Sequence, residues 1–401
     1  MITVLIDDEP FALKLLGQQL AQLGCDSRVT FTRADEALAF IESGLPTIGL
    51  IVCDLQMPDM DGVEVVRHLA RIRYAGAVLL LSGEEGRILQ TAEKLGRAHG
   101  LRMVGAVSKP VSLDRLRDVL QRRARPVAAA RAPGKKTYEP EELARAIASA
   151  ELVNHYQPKV EFRSGAFVGV EALVRWQHPQ DGLVYPDQFI GVAEKHGLID
   201  ALTNSVLCNA VQQARRWRDG GLDLHVAVNI SVANLAALEF PDALARIAAE
   251  AGVPLSSLVL EVTESRLMED PLATLEILTS LRLKRIGLSI DDFGTGHSSL
   301  AQLRDYPFDE LKIDRGFAHG AWRDASLRAI VEASLAMAEH LGMRSVAEGI
   351  EDREDWDFLR STPCTVAQGY FIARPMAAAA LPTWLAEWQA RRADLLEAAP
   401  A

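Results

Sequence analysis

Short runs of aliphatic and β-branched residues at 3–6, 28–30, 48–53, 77–81 and 103–107 alternate with stretches whose apolar positions recur at helical spacing. Consecutive apolar residues suit strands covered on both faces, as in a parallel sheet whose crossover helices lie above and below it. In the amphipathic stretch 11–23, Phe11, Leu15, Leu16 and Leu20 recur at helical spacing. Five strands interleaved with helices predict a doubly wound (βα)5 domain over residues 1–124.

The pattern then breaks. Segment 121–138, QRRARPVAAARAPGKKTY, has six basic residues, no acid, two prolines and no apolar period. It reads as a solvated spacer, assigned to 125–138, more readily than as a contact for nucleic acid or an acidic neighbour. Past it the alternation resumes in longer units. Strands are expected at 152–157, 167–173, 224–230, 258–262, 286–291, 310–313, 344–347 and 366–371, with helices at 241–251, 271–283 and 326–341 between some of them. Eight strands in this span predict a second α/β domain, a (β/α)8 TIM-like barrel over 139–394.

Composition narrows the function. The 401 residues carry 43 Lys+Arg against 54 Asp+Glu, a formal charge of -11. That surplus argues against a general nucleic-acid binder, since phosphate backbones attract basic faces. An acidic protein that handles a polyanion must recruit cations locally. Cys25, Cys53, Cys208 and Cys364 are scattered and form no CxxC pair, so they read as reduced thiols. No apolar run approaches the roughly 18 residues of a membrane span, and the start lacks a signal peptide. The expected location is cytoplasmic, without membrane insertion.

Polar residues recur at strand ends. In the first domain Asp7 and Asp8 follow the first strand, Asp54 ends the third, Ser82 follows the fourth, and Lys109 follows the fifth. In a parallel sheet all of these fall at the carboxyl edge, where open α/β sheets bind ligands. Three converging carboxylates repel one another, and one Mg²⁺ would relieve that while admitting a phosphate oxygen. Asp54 could then attack a phosphoryl group, with Lys109 neutralising charge and Ser82 donating a hydrogen bond. The segments IDDEP, CDLQMPDMDG, LSG and SKP, in this order, resemble a response-regulator receiver domain. The resemblance implies that Asp54 is the phosphoacceptor, that Asp7 and Asp8 hold Mg²⁺, and that Ser82 and Lys109 sense the phosphoryl. One position departs: the family usually carries Tyr or Phe three residues before the lysine, and here that residue is Ala106.

In the second domain Glu171, Asn229, Glu261, the pair Asp291–Asp292, Lys312 and Glu348 lie at successive strand ends, which converge on one mouth in a barrel. So many carboxylates cannot all ionise unpaired. Oxygen donors with one amide, and no Cys or His, select hard ions such as Mg²⁺ or Mn²⁺. Two such ions can activate water and stabilise an in-line displacement at phosphorus. The segments YQPKV, EALVRWQHP, PDQFI, NIS, EVTES, DDFGTGHSSL, LKID, AEGIE and QGYFIARP strongly resemble the EAL-domain phosphodiesterases that hydrolyse cyclic di-GMP.

By that resemblance Glu171, Asn229, Glu261, Asp291 and Asp292 are metal ligands, and Glu348 and Lys312 engage the second metal or the nucleophilic water, with Glu348 taken as the general base. Gln157, Arg175 and Gln368 contact substrate, and Glu264 anchors the DDFGTG loop, a step linked in the family to dimer contacts. His297 stands where relatives commonly have Tyr. The expected protein is a two-component response regulator. It hydrolyses cyclic di-GMP to linear pGpG with two Mg²⁺ or Mn²⁺ ions, is phosphorylated on Asp54 by a cognate sensor histidine kinase, and works as a homodimer or larger assembly. The alternative is a non-catalytic cyclic di-GMP receptor or scaffold, and the residues leave linear dinucleotide substrates open.

Overall fold

The structure is a computed structural model and describes residues 2–43, 48–83, 86–124, 136, 138–264, 271–294 and 300–397. The chain divides into two compact units, Met1–Gly134 and Lys135–Ala401.

In the first unit β1 (Ile2–Ile6), β2 (Arg28–Phe31), β3 (Ile48–Asp54), β4 (Ala77–Ser82) and β5 (Arg102–Ser108) form one sheet in the order β2-β1-β3-β4-β5. All of its pairings are parallel. Along β3, Ile51 and Cys53 enter one apolar cluster, and Leu50 and Val52 enter another. Burial on both faces is why the strands read as unbroken apolar runs. The helix Pro10–Gln22 departs from expectation. Leu13, Leu16 and Leu20 form its buried stripe, whereas Phe11 is 76% and Leu15 45% exposed. Phe11 and Leu15 turn to nearly the opposite side of the helix from Leu13, Leu16 and Leu20, and apolar spacing alone does not say which face turns inward. The helix Gly62–Arg71 starts where the Asp61 side chain accepts from the Glu64 N–H at 2.8 Å, and it buries Val65, Val66 and Leu69.

In the second unit the strands are β6 (Leu152–Glu161), β7 (Phe167–His178), β8 (Gly182–Val184), β9 (His225–Asn229), β10 (Leu258–Thr263), β11 (Gly287–Phe293), β12 (Glu310–Ile313), β13 (Arg344–Ala347), β14 (Val366–Ala367) and β15 (Met376–Ala377). Eight of them close a barrel, while β8 and β15 pair only at the outer ends of the order. From β7 through β9 to β14 neighbours run parallel, but β6 is antiparallel to both β7 and β14. Helices separate most of the barrel strands but not the first two, since β6 and β7 form a hairpin with no helix between them. As a result Gln157 enters the barrel from mid-strand, directly across from Glu171. The last barrel strand is also shorter than expected, and Gln368 follows it.

Helices Ile199–Asp219, Phe240–Ala251, Pro271–Leu283, Ala325–His340 and Arg353–Arg360 bury apolar faces in the main core. Leu258, Leu260 and Val262 of β10, Leu288 and Ile290 of β11, and Leu311 and Ile313 of β12 join that core. Strand alternation turns the intervening residues to the barrel axis. There Glu261, Glu310 and Lys312 stand where such barrels usually stack branched aliphatic residues.

The segment assigned to the spacer needs correction at its end. Tyr138 is buried against Trp176, ring centroids 4.7 Å apart, and Lys136 Nζ lies 2.5 Å from Asp181 Oδ2. Packing of the barrel unit thus begins before residue 139. No described helix is long and apolar enough to cross a membrane.

Candidate functional site

At the carboxyl edge of the first sheet Asp7, Asp8 and Asp54 bring ligand-capable oxygens within 4.8 Å of one another. Asp54 terminates β3 and is almost fully buried. Its Oδ1 accepts from the Leu55 N–H at 3.0 Å. Lys109, just past β5, reaches Asp7 Oδ2 at 2.8 Å and Asp54 Oδ2 at 3.0 Å. Burial raises the Asp54 carboxyl above its ordinary range, and Lys109 opposes that shift without cancelling it. Ser82 is fully buried at the end of β4, and its carbonyl accepts from the Lys109 N–H at 2.7 Å. Ala106 lines a cleft of about 380 Å³ with Leu89, Gln90, Glu93 and Arg115.

At the mouth of the barrel one cation organises the acids. Lys312, 1% exposed, places Nζ 2.7 Å from Glu348 Oε1, 3.0 Å from Glu261 Oε2, 3.1 Å from Asp291 Oδ1 and 3.6 Å from Glu171 Oε2. Asn229 Nδ2 donates to Glu171 Oε1 at 2.8 Å and to Glu261 Oε2 at 3.3 Å. Gln368 Nε2 donates to Glu171 Oε2 at 2.6 Å and to Gln157 Oε1 at 3.1 Å. The acids form two groups, Glu171–Glu261–Asp291 and Asp291–Asp292–Glu348. Within each the oxygens lie no more than 4.8 Å apart, and Asp291 belongs to both.

Adjacent residues on a regular strand point to opposite faces, so Asp291 and Asp292 should not share a site. The backbone resolves this. Asp292 has φ +54°, a left-handed conformation rare outside glycine, and the pairing of β11 with β12 shifts register between Ile290 and Phe293. Strain of this kind persists where surrounding structure holds it. Here Glu264 Oε2 accepts from the Gly294 N–H at 2.8 Å, two residues further on.

Charge is out of balance in this mouth. Burial and the neighbouring Glu261 raise Glu171 to about 7 against the pull of Lys312. Burial raises Glu348 to about 8, with Lys312 opposing and Asp291 adding to the shift. Burial and Asp291 also raise Asp292. Glu261 goes the other way: Lys159 and Lys312 outweigh its burial and hold it at about 2. Hard oxygen donors carrying more negative charge than their one shared ammonium can balance fit a pair of divalent cations. The shared Asp291 suits a ligand common to both.

A cleft of about 260 Å³ opens over these groups, lined by Gln157, Glu171, Lys312, Glu348, Gln368 and Tyr370 among others. Arg175 is not among its lining residues. It lies four residues along β7 from Glu171 and is nearly buried, its guanidinium 5.1 Å from the Tyr185 ring and its Nε without a hydrogen-bond partner among the described residues. His297, and residues 295 and 296 of the DDFGTG run, lie outside the described residues. Sequence reasoning passed over Lys159, Glu310, Arg315 and Glu351. Lys159 had a signal in the period of two, since it shares a strand face with Gln157. Arg315 had none, and its Nη2 lies 2.6 Å from Glu351 Oε1.

Comparison with known proteins agrees in both units. The EAL domain family matches residues 140–375, and the response regulator receiver domain family matches residues 3–121. The chain is similar to the cyclic di-GMP phosphodiesterase RocR of Pseudomonas aeruginosa, 31% identical over 93% of this chain and 95% of the relative. The bifunctional diguanylate cyclase/cyclic di-GMP phosphodiesterase MucR of the same organism is 44% identical over 59% of this chain and 35% of its own length. Among solved structures, the MucR phosphodiesterase in complex with c-di-GMP covers 60% of this chain and 98% of its own, at 44% identity and TM-score 0.58. The EAL enzyme Bd1971 with cAMP and cyclic di-GMP bound covers 68% of this chain and 73% of its own, at 27% identity and TM-score 0.58.

Proposed function

This chain belongs to the EAL-domain family, carries a response-regulator receiver domain and is a cyclic di-GMP phosphodiesterase, and from that premise we propose that it hydrolyses one phosphodiester of cyclic di-GMP to linear pGpG with two divalent cations. The observation that carries the reading is the pair of acid groups joined by Asp291 around Lys312. Glu171, Asn229, Glu261, Asp291 and Asp292 would hold the ions. Mg²⁺ or Mn²⁺ bound there supplies an acidified water and neutralises charge developing on the phosphoryl oxygens.

The chain's own groups do the rest. Glu348 accepts the proton of the attacking water, a role suited to a carboxylate whose affinity for protons has been raised toward neutral pH. Lys312 holds Glu348 in place by their 2.7 Å contact and balances charge as the water attacks. Gln157 and Gln368 line the cleft and fix the dinucleotide. Arg175 lies outside that lining, and its planar fork would take two phosphate oxygens only from a substrate that extends past the cleft. Glu264 keeps the Asp291–Asp292 turn in its strained form through Gly294.

In the first unit Asp54 is the proposed phosphoacceptor. Asp7 and Asp8 hold one Mg²⁺, Ser82 and Lys109 sense the phosphoryl, and a sensor histidine kinase is the donor. We assign residues 1–124 as one functional domain and 139–394, with Tyr138 packed at its start, as the other, and a homodimer or larger assembly as the working form. The reading is tested by incubating the purified chain with cyclic di-GMP and Mg²⁺ or Mn²⁺ and following linear pGpG by chromatography. Glu171→Gln should abolish the product. Clear nucleotide binding with no product from the unaltered chain would make the protein a receptor instead.

A further inference from the structure

Beneath the mouth the barrel axis carries a column of alternating charge. Arg344 Nη2 lies 3.4 Å from Glu310 Oε2, and Glu310 Oε1 lies 3.5 Å from Lys159 Nζ. Lys159 Nζ lies 2.7 Å from Glu261 Oε1, and Glu261 Oε2 lies 3.0 Å from Lys312 Nζ. Lys159, Glu261 and Glu310 are all buried. A buried ion pair often stabilises a fold no better than apolar residues of similar volume would. The column therefore calls for a role other than stability, and its geometry supplies one.

The two oxygens of Glu261 are divided between two directions. Oε1 is committed downward to Lys159, while Oε2 is turned toward Asn229 at 3.3 Å and Lys312 at 3.0 Å. Among the described residues, the only ion pairs of Lys159 are to Glu261 and Glu310. It is not among the residues lining the cleft, and the proposed metal ligand it contacts directly is Glu261. Groups behind metal ligands commonly fix ligand orientation in this way, and losing them weakens metal binding.

We propose that Lys159 is a positioning residue that holds the Glu261 carboxylate from below so that one oxygen faces the cation site, with Glu310 and Arg344 bracing the lysine from the far end of the barrel. This rests on the reading of Glu261 as a metal ligand. It adds a requirement at a position in the YQPKV run that touches neither substrate nor ion.

The test is Mn²⁺ affinity by calorimetry on the full chain carrying Asp7→Asn and Asp8→Asn, which removes the receiver cluster from the signal. Lys159→Met should weaken Mn²⁺ binding by about 10–100-fold, the usual loss when a group behind a ligand is removed. At saturating Mn²⁺ the KM for cyclic di-GMP should stay at its starting value, whereas a general loosening of the barrel would move both quantities. Removing one buried cation takes one partner from each of two acids, leaving Glu261 with Lys312 and Glu310 with Arg344, so Lys159→Met/Glu310→Gln is the companion variant. It deletes one acid with the lysine, keeps the fold easier to form, and should show the same loss of affinity. A folded variant of either kind that binds Mn²⁺ as tightly as the parent overturns the role of Lys159 and leaves the hydrolase reading standing. A parent chain that shows no Mn²⁺ binding removes the ligand role of Glu261, and this proposal with it.

Discussion

The Lys312 ammonium sits 2.7 Å from the Glu348 carboxylate while also touching Glu261, Asp291 and Glu171. One buried lysine is thus the common counter-charge of four acids, and they hold its proton affinity well above the ordinary lysine value. Lys312→Met should lower kcat by about 10²–10³-fold, the scale lost when one preorganised charge is removed from a reacting centre. It should also destabilise the metal-free protein by about 3–5 kcal/mol, because buried acids lose their partner. Turnover assays and thermal melts check both effects. A near-normal kcat would remove Lys312 from the mechanism.

Glu348→Gln keeps the shape of the side chain and an oxygen that can accept from Lys312, but the amide cannot take a proton from water. Turnover should fall by at least about 100-fold, the contribution of a general base. Cyclic di-GMP binding, measured in Ca²⁺ to suppress hydrolysis, should remain. Ca²⁺ serves because its longer, looser coordination misplaces the attacking water. Loss of binding alongside turnover would mean that Glu348 acts chiefly as a ligand.

The charge imbalance has a pH signature. Without metal, Glu171 is raised to about 7 and Glu348 to about 8, both above their unfolded values. Groups raised in this way contribute stability that is complete at low pH and is lost as pH climbs through the folded values. The metal-free protein should therefore melt at lower temperature as pH rises from about 6 to about 9. Lys312 does not alter that trend, since it stays charged throughout the window. Cations bind the deprotonated acids, so Mn²⁺ should bind more tightly toward alkaline pH and release protons near pH 7. Calorimetry in two buffers of different ionisation heat measures the release. Binding without proton release would contradict the raised carboxyls.

Much of this was legible in the sequence because of one regularity: the chemistry sits at strand ends, and strands can be read from apolar runs. Glu171, Glu261, Asp291 and Lys312 were placed together on that basis, and the structure brings the three acids within reach of the Lys312 ammonium. What escaped was information that strand periodicity does not carry. The antiparallel direction of β6 depends on a hairpin, Gly165 having φ +63° at its turn. Asp292 reaches the site through a left-handed backbone that period two would have turned away. The inward stripe of the first helix was misjudged at Phe11 and Leu15, since packing rather than spacing selects the buried face. Period two placed Lys159 on the face of Gln157, but the partners that give it a role, Glu261 and Glu310, are 102 and 151 residues away.

Glu264 tests whether that left-handed turn matters. Its carboxylate accepts from the Gly294 N–H at 2.8 Å and so fixes the chain just after Asp292. Glu264→Ala leaves every proposed metal ligand in place but frees the turn to relax. Activity should fall by about 10–100-fold, with the Mn²⁺ concentration for half-activation rising, as when support behind a ligand is lost. If activity fell with no change in the metal requirement, Glu264 would act elsewhere than through Asp291 and Asp292.

The receiver pocket can be tested apart from the barrel. Lys109 bridges Asp7 and Asp54 at 2.8 and 3.0 Å, so its charge already lies where a phosphoryl group on Asp54 would place its oxygens. With acetyl phosphate and Mg²⁺, the intact protein should gain one phosphoryl group by mass spectrometry, and Asp54→Asn should gain none. Lys109→Ala keeps the nucleophile but removes the cation that steadies the transferring group, so labelling should slow by about 10²-fold. Beryllofluoride should alter cyclic di-GMP turnover in the parent chain and leave Asp54→Asn unchanged. Because Ala106 cannot act as a rotating aromatic, any such response must leave the pocket by a route other than a ring at that position. A turnover effect of beryllofluoride that survives Asp54→Asn would show that the ion acts outside this pocket.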